Sequence, residues 1–132
     1  CSPIDMLRLV EKASWNEAKD GNSIIKRNTE LDQLLLIQEG VVSVQVEGRE
    51  VASLDQGNLI GEMSFMTRNK TVADVVATGP VRYLSWHRDV LEALFQNKVE
   101  LKSAIHEVIG RDLVHKLTSQ NPQADLTSTV TA

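Results

Sequence analysis

The chain has 132 residues, of which 42% are hydrophobic and 24% are charged, as in an ordinary soluble globular domain. This length suits one domain. The formal net charge of −4 argues against a nucleic-acid-binding surface, which normally carries a strong basic excess. No apolar run approaches the roughly 20 residues of a membrane-spanning helix. We therefore expect this segment by itself to be soluble and cytoplasmic.

The cysteine content points to a reducing compartment. Cys1 is the lone cysteine of the sequence, so an internal disulfide bond cannot form. Because the first residue is not methionine, we expect the segment to belong to a longer protein.

The first predicted element is a helix from Ser2 to Ser14. Ser2 can cap this helix, and Pro3 suits its first position. Trp15 is expected to pack near the end of the helix.

Between residues 23 and 86 the pattern changes to short β-branched runs separated by turn residues. Val42, Val44 and Val46 alternate with polar residues, which is typical of a half-buried strand. Glu47-Gly48 predicts a two-residue hairpin turn. The predicted strands cover residues 24–25, 34–37, 42–46, 49–54, 71–78 (Thr71 to Thr78) and 81–86. Many short strands at regular spacing predict a closed or double-layered antiparallel β architecture.

Helical periodicity returns after Trp86. A short apolar stripe runs from Val90 to Phe95, and Asn97 is predicted to cap a longer helix over residues 98–117. The apolar residues of that helix at four-residue spacing are Ile105, Ile109, Leu113 and Leu117. Because this stripe extends past what one small β domain covers, we expect its C-terminal part to form a homodimer contact. Residues 1–117 are the predicted domain, and the polar residues 118–132 are a predicted disordered tail.

The most informative segment is residues 57–65, GNLIGEMSF, called the cassette below. Glycine at position 61 lets the backbone approach a ligand closely. Successive N–H groups at the start of a short helix can hold a phosphate. The segment resembles the phosphate-binding cassette of the cyclic-nucleotide-binding domain family, which includes catabolite-activator proteins, kinase regulatory subunits and gated channels. That family carries Phe-Gly-Glu and a small residue two places on, here Ile60-Gly61-Glu62 and Ser64.

The resemblance covers about residues 7–117 and implies a fold. The expected fold is mainly β with flanking helices, a double-stranded β-helix of the jelly-roll type. Asn28 stands where the family usually has a turn glycine, and asparagine tolerates the left-handed conformation best among the other residues.

The same resemblance implies a ligand and its contacts. The ligand would be cyclic AMP or cyclic GMP. Glu62 would accept a hydrogen bond from the ribose 2′-hydroxyl, and the amides around Met63 and Ser64 would meet the cyclic phosphate. The implied binding residues are Gly61, Glu62, Met63, Ser64, Thr71 and Val72.

The chain departs from the family at the phosphate. Nucleotide-binding members have an arginine ten residues beyond the cassette glycine, where this chain has Thr71, followed by Val72. An arginine fork supplies charge-assisted bonds stronger than those of a neutral donor. We therefore expect weak binding, and we expect Thr71→Arg to raise the affinity. Arg68 and Lys70 in the adjoining loop are either alternative phosphate partners or solvated loop cations.

A narrower resemblance is to bacterial Popeye-like proteins. It is carried by the motifs GEMSF at residues 61–65, PVRYLSW at residues 80–86 and IGRDL at residues 109–113. Those proteins carry this domain on the cytoplasmic side of a few membrane-spanning helices, and they too lack the standard phosphate arginine. The resemblance implies a membrane segment upstream in the parent protein.

Two functions remain open, a ligand sensor that relays its state through the last helix, and a non-binding domain of the same fold that serves in protein assembly. An enzyme is not expected. The three histidines, His87, His106 and His115, share no metal-ligand spacing. A catalytic cupin, which has a similar fold, needs a histidine-rich metal set. We therefore expect neither a metal nor a cofactor, and no helix-turn-helix follows Leu117 to bind DNA.

Overall fold

The structure, a computed structural model, describes residues 3–95 and 97–107. The helices of this part are α1 (Pro3–Lys12), α2 (Glu62–Thr67), α3 (Arg88–Leu94) and α4 (Lys98–Glu107). The strands are β1 (Ser14–Ala18), β2 (Ser23–Ile25), β3 (Gln33–Glu39), β4 (Val42–Val46), β5 (Arg49–Leu54), β6 (Leu59–Ile60), β7 (Asp74–Ala77) and β8 (Val81–His87). They form two four-stranded antiparallel sheets, in the orders β1-β8-β3-β6 and β2-β7-β4-β5. The predicted β fold with flanking helices is confirmed.

Strand β3 is buried on both faces. Leu34 and Leu36 contribute to a core between the first sheet and the helices, whereas Leu35 and Ile37 contribute to a core between the two sheets. Successive side chains of a strand point to opposite faces, so a strand between two cores needs an uninterrupted apolar run. This explains the sequence Leu34 to Ile37. We call the two cores the helix-side core and the inter-sheet core.

The turns of the second sheet follow the local sequence. Glu47 and Gly48 both have positive φ, 52° and 80°, between the paired residues Val46 and Arg49. This matches the predicted two-residue hairpin, whose twist requires positive φ at both central positions. Asn28 also has the expected left-handed conformation, with φ of 67°.

The N-terminal prediction is partly wrong. Helix α1 ends at Lys12, and Ser14 and Trp15 belong to strand β1, which pairs with β8. Trp15 is half-exposed, with the Arg82 guanidinium 5.1 Å from its ring centroid. The long-range pairing with β8 overrides the local preference of these residues. The predicted cap at Ser2 lies outside the described residues.

The predicted strand over Thr71 to Thr78 is shorter than expected, because β7 covers only Asp74–Ala77. The backbone of Thr71 is bonded to the loop before β3 instead. Its N–H donates to the carbonyl of Thr29 at 2.8 Å, and its carbonyl accepts from Asn28 at 2.8 Å.

The C-terminal helices cover the first sheet. Asn97 caps α4 as predicted, its side-chain oxygen accepting from the N–H of Glu100 at 2.8 Å. Leu101 and Ile105 of α4 are buried in the helix-side core. The rest of the predicted stripe, from Ile109 to Leu117, lies outside the described residues, as does the predicted tail. None of the helices within the described ranges is both long and apolar enough to cross a bilayer.

Candidate ligand-binding site

The cassette runs from the turn before β6 into helix α2, and Gly61 forms the junction. Gly61 has φ of 70°, a left-handed conformation, and its carbonyl accepts the N–H of Phe65 at 3.0 Å. A Cβ at this position would lie 2.6 Å from Cδ1 of Leu31. The left-handed backbone therefore favours glycine here, and a Cβ would in addition require the Leu31 side chain to shift.

We expect Gly61→Ala to destabilise the domain by more than the roughly 1–2 kcal/mol of a left-handed non-glycine residue, because Leu31 must also move. Gly48→Ala is the matched control, since Gly48 has φ of 80° and a Cβ there would have no heavy atom within 4 Å. Urea unfolding of both variants measures the difference. Equal losses in the two variants would contradict the steric part of the explanation.

A cavity of about 160 Å³ lies between the cassette and the second sheet. Its lining consists of Ile25, Val44, Leu54, Ile60, Gly61, Glu62, Met63, Ser64, Thr71, Val72, Ala73 and Val75. All six residues that the sequence predicts to bind a ligand are in this set. The strands supply the floor and residues 60–64 of the cassette supply the opposite wall, and the exposed lining is almost entirely apolar.

The polar groups of the cassette wall belong to Glu62, Ser64 and the backbone. Glu62 and Ser64 are half-buried, whereas Met63 is 70% exposed at the mouth of the cavity. The first N–H groups of a helix have no partner within the helix. The amides at the start of α2 can therefore donate to an anionic group, while the Glu62 carboxylate can accept from a hydroxyl.

The Thr71 side chain has a structural role. It is 7% exposed, and its hydroxyl donates to the carbonyl of Lys26 at 2.7 Å. The same oxygen accepts the N–H of Thr29 at 3.0 Å. Thr71 thus joins the loop after β2 to the segment before β7. Val72, the next residue, is 76% exposed at the rim of the cavity.

Neither predicted alternative phosphate partner lies in the cavity. Arg68 forms an ion pair with Glu92 of α3 at 3.4 Å, and about half of each side chain is exposed. Lys70 is exposed and is not among the lining residues. No lysine or arginine is present among the described residues that line the cavity.

The structure also reveals a residue that the sequence analysis missed. The Arg88 guanidinium lies over the Phe65 ring, 4.1 Å from its centroid, and donates to the carbonyl of the same residue at 2.8 Å. Phe65 is fully buried in the helix-side core, on the side away from the cavity. The partners of Arg88 are 23 and 57 residues away in sequence, so no local pattern identifies it.

In the described part of the chain, no group of three or more His, Cys, Asp or Glu side chains is placed to hold a metal ion. His87 instead caps the N-terminus of α3, where its Nδ1 accepts the N–H of Asp89. His115 and the side chain of His106 lie outside the described part of the chain.

Comparison with known proteins identifies the class. The family model for the cyclic nucleotide-binding domain matches residues 15–98. The chain therefore belongs to the cyclic nucleotide-binding domain family, as the cassette predicted.

Individual relatives are distant. The cAMP-dependent protein kinase regulatory subunit of Debaryomyces hansenii is 28% identical over 107 residues, covering 76% of this chain and 24% of that protein. The potassium/sodium hyperpolarization-activated cyclic nucleotide-gated channel 2 of Mus musculus is 27% identical over 113 residues, covering 86% of this chain and 13% of the channel. The chain thus spans about a quarter or less of these curated relatives.

Two solved structures are similar in fold. A cyclic nucleotide-binding domain from Methylobacillus flagellatus has a TM-score of 0.72 and 26% identity, covering 91% of this chain and 68% of that one. The regulatory subunit of a cAMP-independent protein kinase A from Trypanosoma brucei has a TM-score of 0.68 and 29% identity, covering 92% and 40%.

Proposed function

We propose that this domain is a regulatory sensor that binds a cyclic nucleotide weakly in the cavity and relays its bound state through the C-terminal helices. One observation carries the proposal: residues 60–64 of the cassette and the rim residue Val72 line a single cavity, and Phe65 packs on the opposite side of α2. Phe65, the bulkiest side chain of the cassette, therefore does not fill the cavity.

In this proposal the ribose and the cyclic phosphate of the nucleotide face the cassette. Glu62 accepts from the ribose 2′-hydroxyl, and the amides of Met63 and Ser64 donate to the cyclic phosphate. The apolar strand residues contact the rest of the ligand. Because no lysine or arginine lines the cavity, the phosphate lacks a charge-assisted partner, which typically contributes about 1.5–3 kcal/mol. The affinity is therefore roughly one to two decades below that of a site with such a partner.

A non-binding assembly module is the second candidate. The absence of a cation from the described lining favours it, and so does the exposure of the apolar side chains Met63 and Val72 at the mouth. A similar fold occurs in a kinase regulatory subunit described as cAMP-independent. In this alternative the fold is kept for contacts with other proteins.

Calorimetric titration with cyclic AMP and cyclic GMP distinguishes the two candidates. We expect saturable binding by the wild-type protein and a loss of about tenfold or more in Glu62→Ala, since a hydrogen bond to a charged group is removed. Glu50→Ala is the control, because it removes the same charge from an exposed position on β5 outside the cavity. Absence of binding at millimolar nucleotide, with no shift in Tm, would favour the assembly module.

Two finer proposals concern the parent protein. The Popeye-like motifs support attachment to a membrane, with this domain on the cytoplasmic face. Release of the native full-length protein from membranes by alkaline carbonate would contradict attachment through a membrane-spanning segment. The apolar stripe of the sequence supports a homodimer through its residues beyond 107, since Leu101 and Ile105 already pack on their own domain. A monomer in sedimentation at high concentration would contradict the dimer.

A further inference from the structure

Arg88 is the first residue of α3, and its side chain reaches the cassette. One nitrogen, Nη2, donates to the carbonyl of Phe65 at 2.8 Å and to the carbonyl of Leu31 at 2.9 Å. The guanidinium carbon lies 4.1 Å from the centroid of the Phe65 ring. Phe65 is therefore held through both its backbone and its side chain.

The second bond of Arg88 goes to the backbone of Leu31, whose side chain contacts the middle of the cassette. The Leu31 side chain lies directly against Gly61, so close that Gly61 has no room for a Cβ. The backbone N–H of Arg88 also donates to the carbonyl of Asp32 at 2.7 Å, which fixes the same loop. The contacts of Arg88 thus hold Phe65 directly and Gly61 indirectly through Leu31, one at each end of the first turn of α2.

The third link is to the C-terminal helices. The Phe65 ring lies in the same helix-side core as Leu91 of α3 and as Leu101 and Ile105 of α4. The Arg68–Glu92 ion pair also joins the end of α2 to α3, but this exposed pair contributes little. A displacement of α2 therefore changes the contacts of Arg88 at the start of α3 and the packing of Phe65 in the core shared with α4.

We propose that Arg88 is a positioning residue that fixes the cassette relative to α3 and couples ligand binding to the C-terminal helices. The role in positioning rests on the geometry alone, whereas the role in coupling rests also on the proposed function. A ligand can shift the helices only if it binds one arrangement of cassette and α3 better than another. Arg88 is the contact through which the two arrangements differ.

The positioning role is tested without ligand, by hydrogen exchange of backbone amides. In Arg88→Gln we expect the amides of α2, including that of Phe65, to exchange about tenfold faster. A tenfold increase corresponds to a loss of about 1.4 kcal/mol of local stability. The β4–β5 hairpin, which is remote from Arg88, should change less. Arg88→Lys should have an intermediate effect, because an ammonium group cannot reproduce the planar fork or its stacking.

Arg82→Gln is the matched control. It removes another arginine that lies over an aromatic ring, that of Trp15, but on the surface of β1 and β8. We expect α2 to keep its wild-type exchange in this variant. The positioning role is wrong if Arg88→Gln leaves the exchange of α2 unchanged, or if Arg82→Gln accelerates it equally. Should Arg88→Gln not fold, the comparison of Arg88→Lys with Arg82→Lys gives the same decision.

The coupling role is tested with cyclic AMP. In the wild type, saturating nucleotide should slow the exchange of amides in α3, and Arg88→Gln should weaken binding about tenfold and abolish this protection at saturation. If the wild type does not bind, the proposed function and the coupling fail, while the ligand-free result still decides the positioning role. If the variant binds equally well and protects α3 equally, the coupling is wrong and the proposed function stands.

Discussion

Thr71→Arg should lower the free energy of unfolding by roughly 2–4 kcal/mol. The substitution removes the hydroxyl that bonds both the carbonyl of Lys26 and the N–H of Thr29, and an unpaired buried polar group costs about 1–3 kcal/mol. The longer arginine side chain also does not fit at a position that is only 7% exposed, so the surrounding residues must shift to accommodate it. Urea unfolding followed by circular dichroism measures the loss. A variant as stable as the wild type would show that these two bonds contribute little.

Val72→Arg adds the same guanidinium group at the neighbouring position without removing the Thr71 hydroxyl. Val72 is exposed at the rim of the same cavity. We expect wild-type stability and an affinity for cyclic AMP raised about tenfold, since the new guanidinium can reach a bound phosphate. Raising the salt concentration should reduce the gain. Val51→Arg adds the same charge on β5, outside the cavity, and should change nothing. Equal affinities of the two variants would contradict the proposed position of the phosphate.

Trp86→Ala should have the largest effect on stability, a loss of about 3–5 kcal/mol. The Trp86 side chain is fully buried in the helix-side core, and its Nε1–H donates to the carbonyl of Leu9 at 2.7 Å. The substitution leaves a cavity and also removes the bond that attaches α1 to the first sheet.

Trp86→Phe separates these two contributions. Phenylalanine keeps most of the apolar volume but cannot donate, so we expect a smaller loss of about 1–3 kcal/mol, mainly from the unpaired Leu9 carbonyl. Urea unfolding by circular dichroism measures both variants, and the fluorescence of Trp15 gives a second signal. A loss below 1 kcal/mol in Trp86→Ala would show that α1 and the core rearrange without penalty.

The sequence predicted those elements whose cause is local. The Glu47-Gly48 turn, the cap at Asn97 and the apolar run of β3 each depend on residues next to one another, and all three are confirmed. Strand β1 was missed because its pairing partner lies about 70 residues away. Its Asn16 side chain, for example, bonds Ser85 across 69 positions.

The same distinction applies to the candidate site. The cassette is contiguous in sequence, so its residues could be named in advance, and residues 60–64 of it line one cavity. The roles of Thr71 and Arg88 could not be predicted, because each depends on carbonyl groups of a distant loop. The two loop cations were candidates only by proximity, and the ion pair of Arg68 with Glu92 directs that side chain to α3 instead.

The cavity floor has a consequence for any change of ligand preference. Four of its residues, Ile25, Leu54, Ile60 and Val75, also belong to the inter-sheet core. A substitution that reshapes the floor therefore alters the packing of the fold. Exposed residues at the mouth, such as Met63 and Val72, carry no such linkage. New specificities should consequently arise, in evolution or in protein engineering, by exchange of residues at the mouth while the strands stay constant.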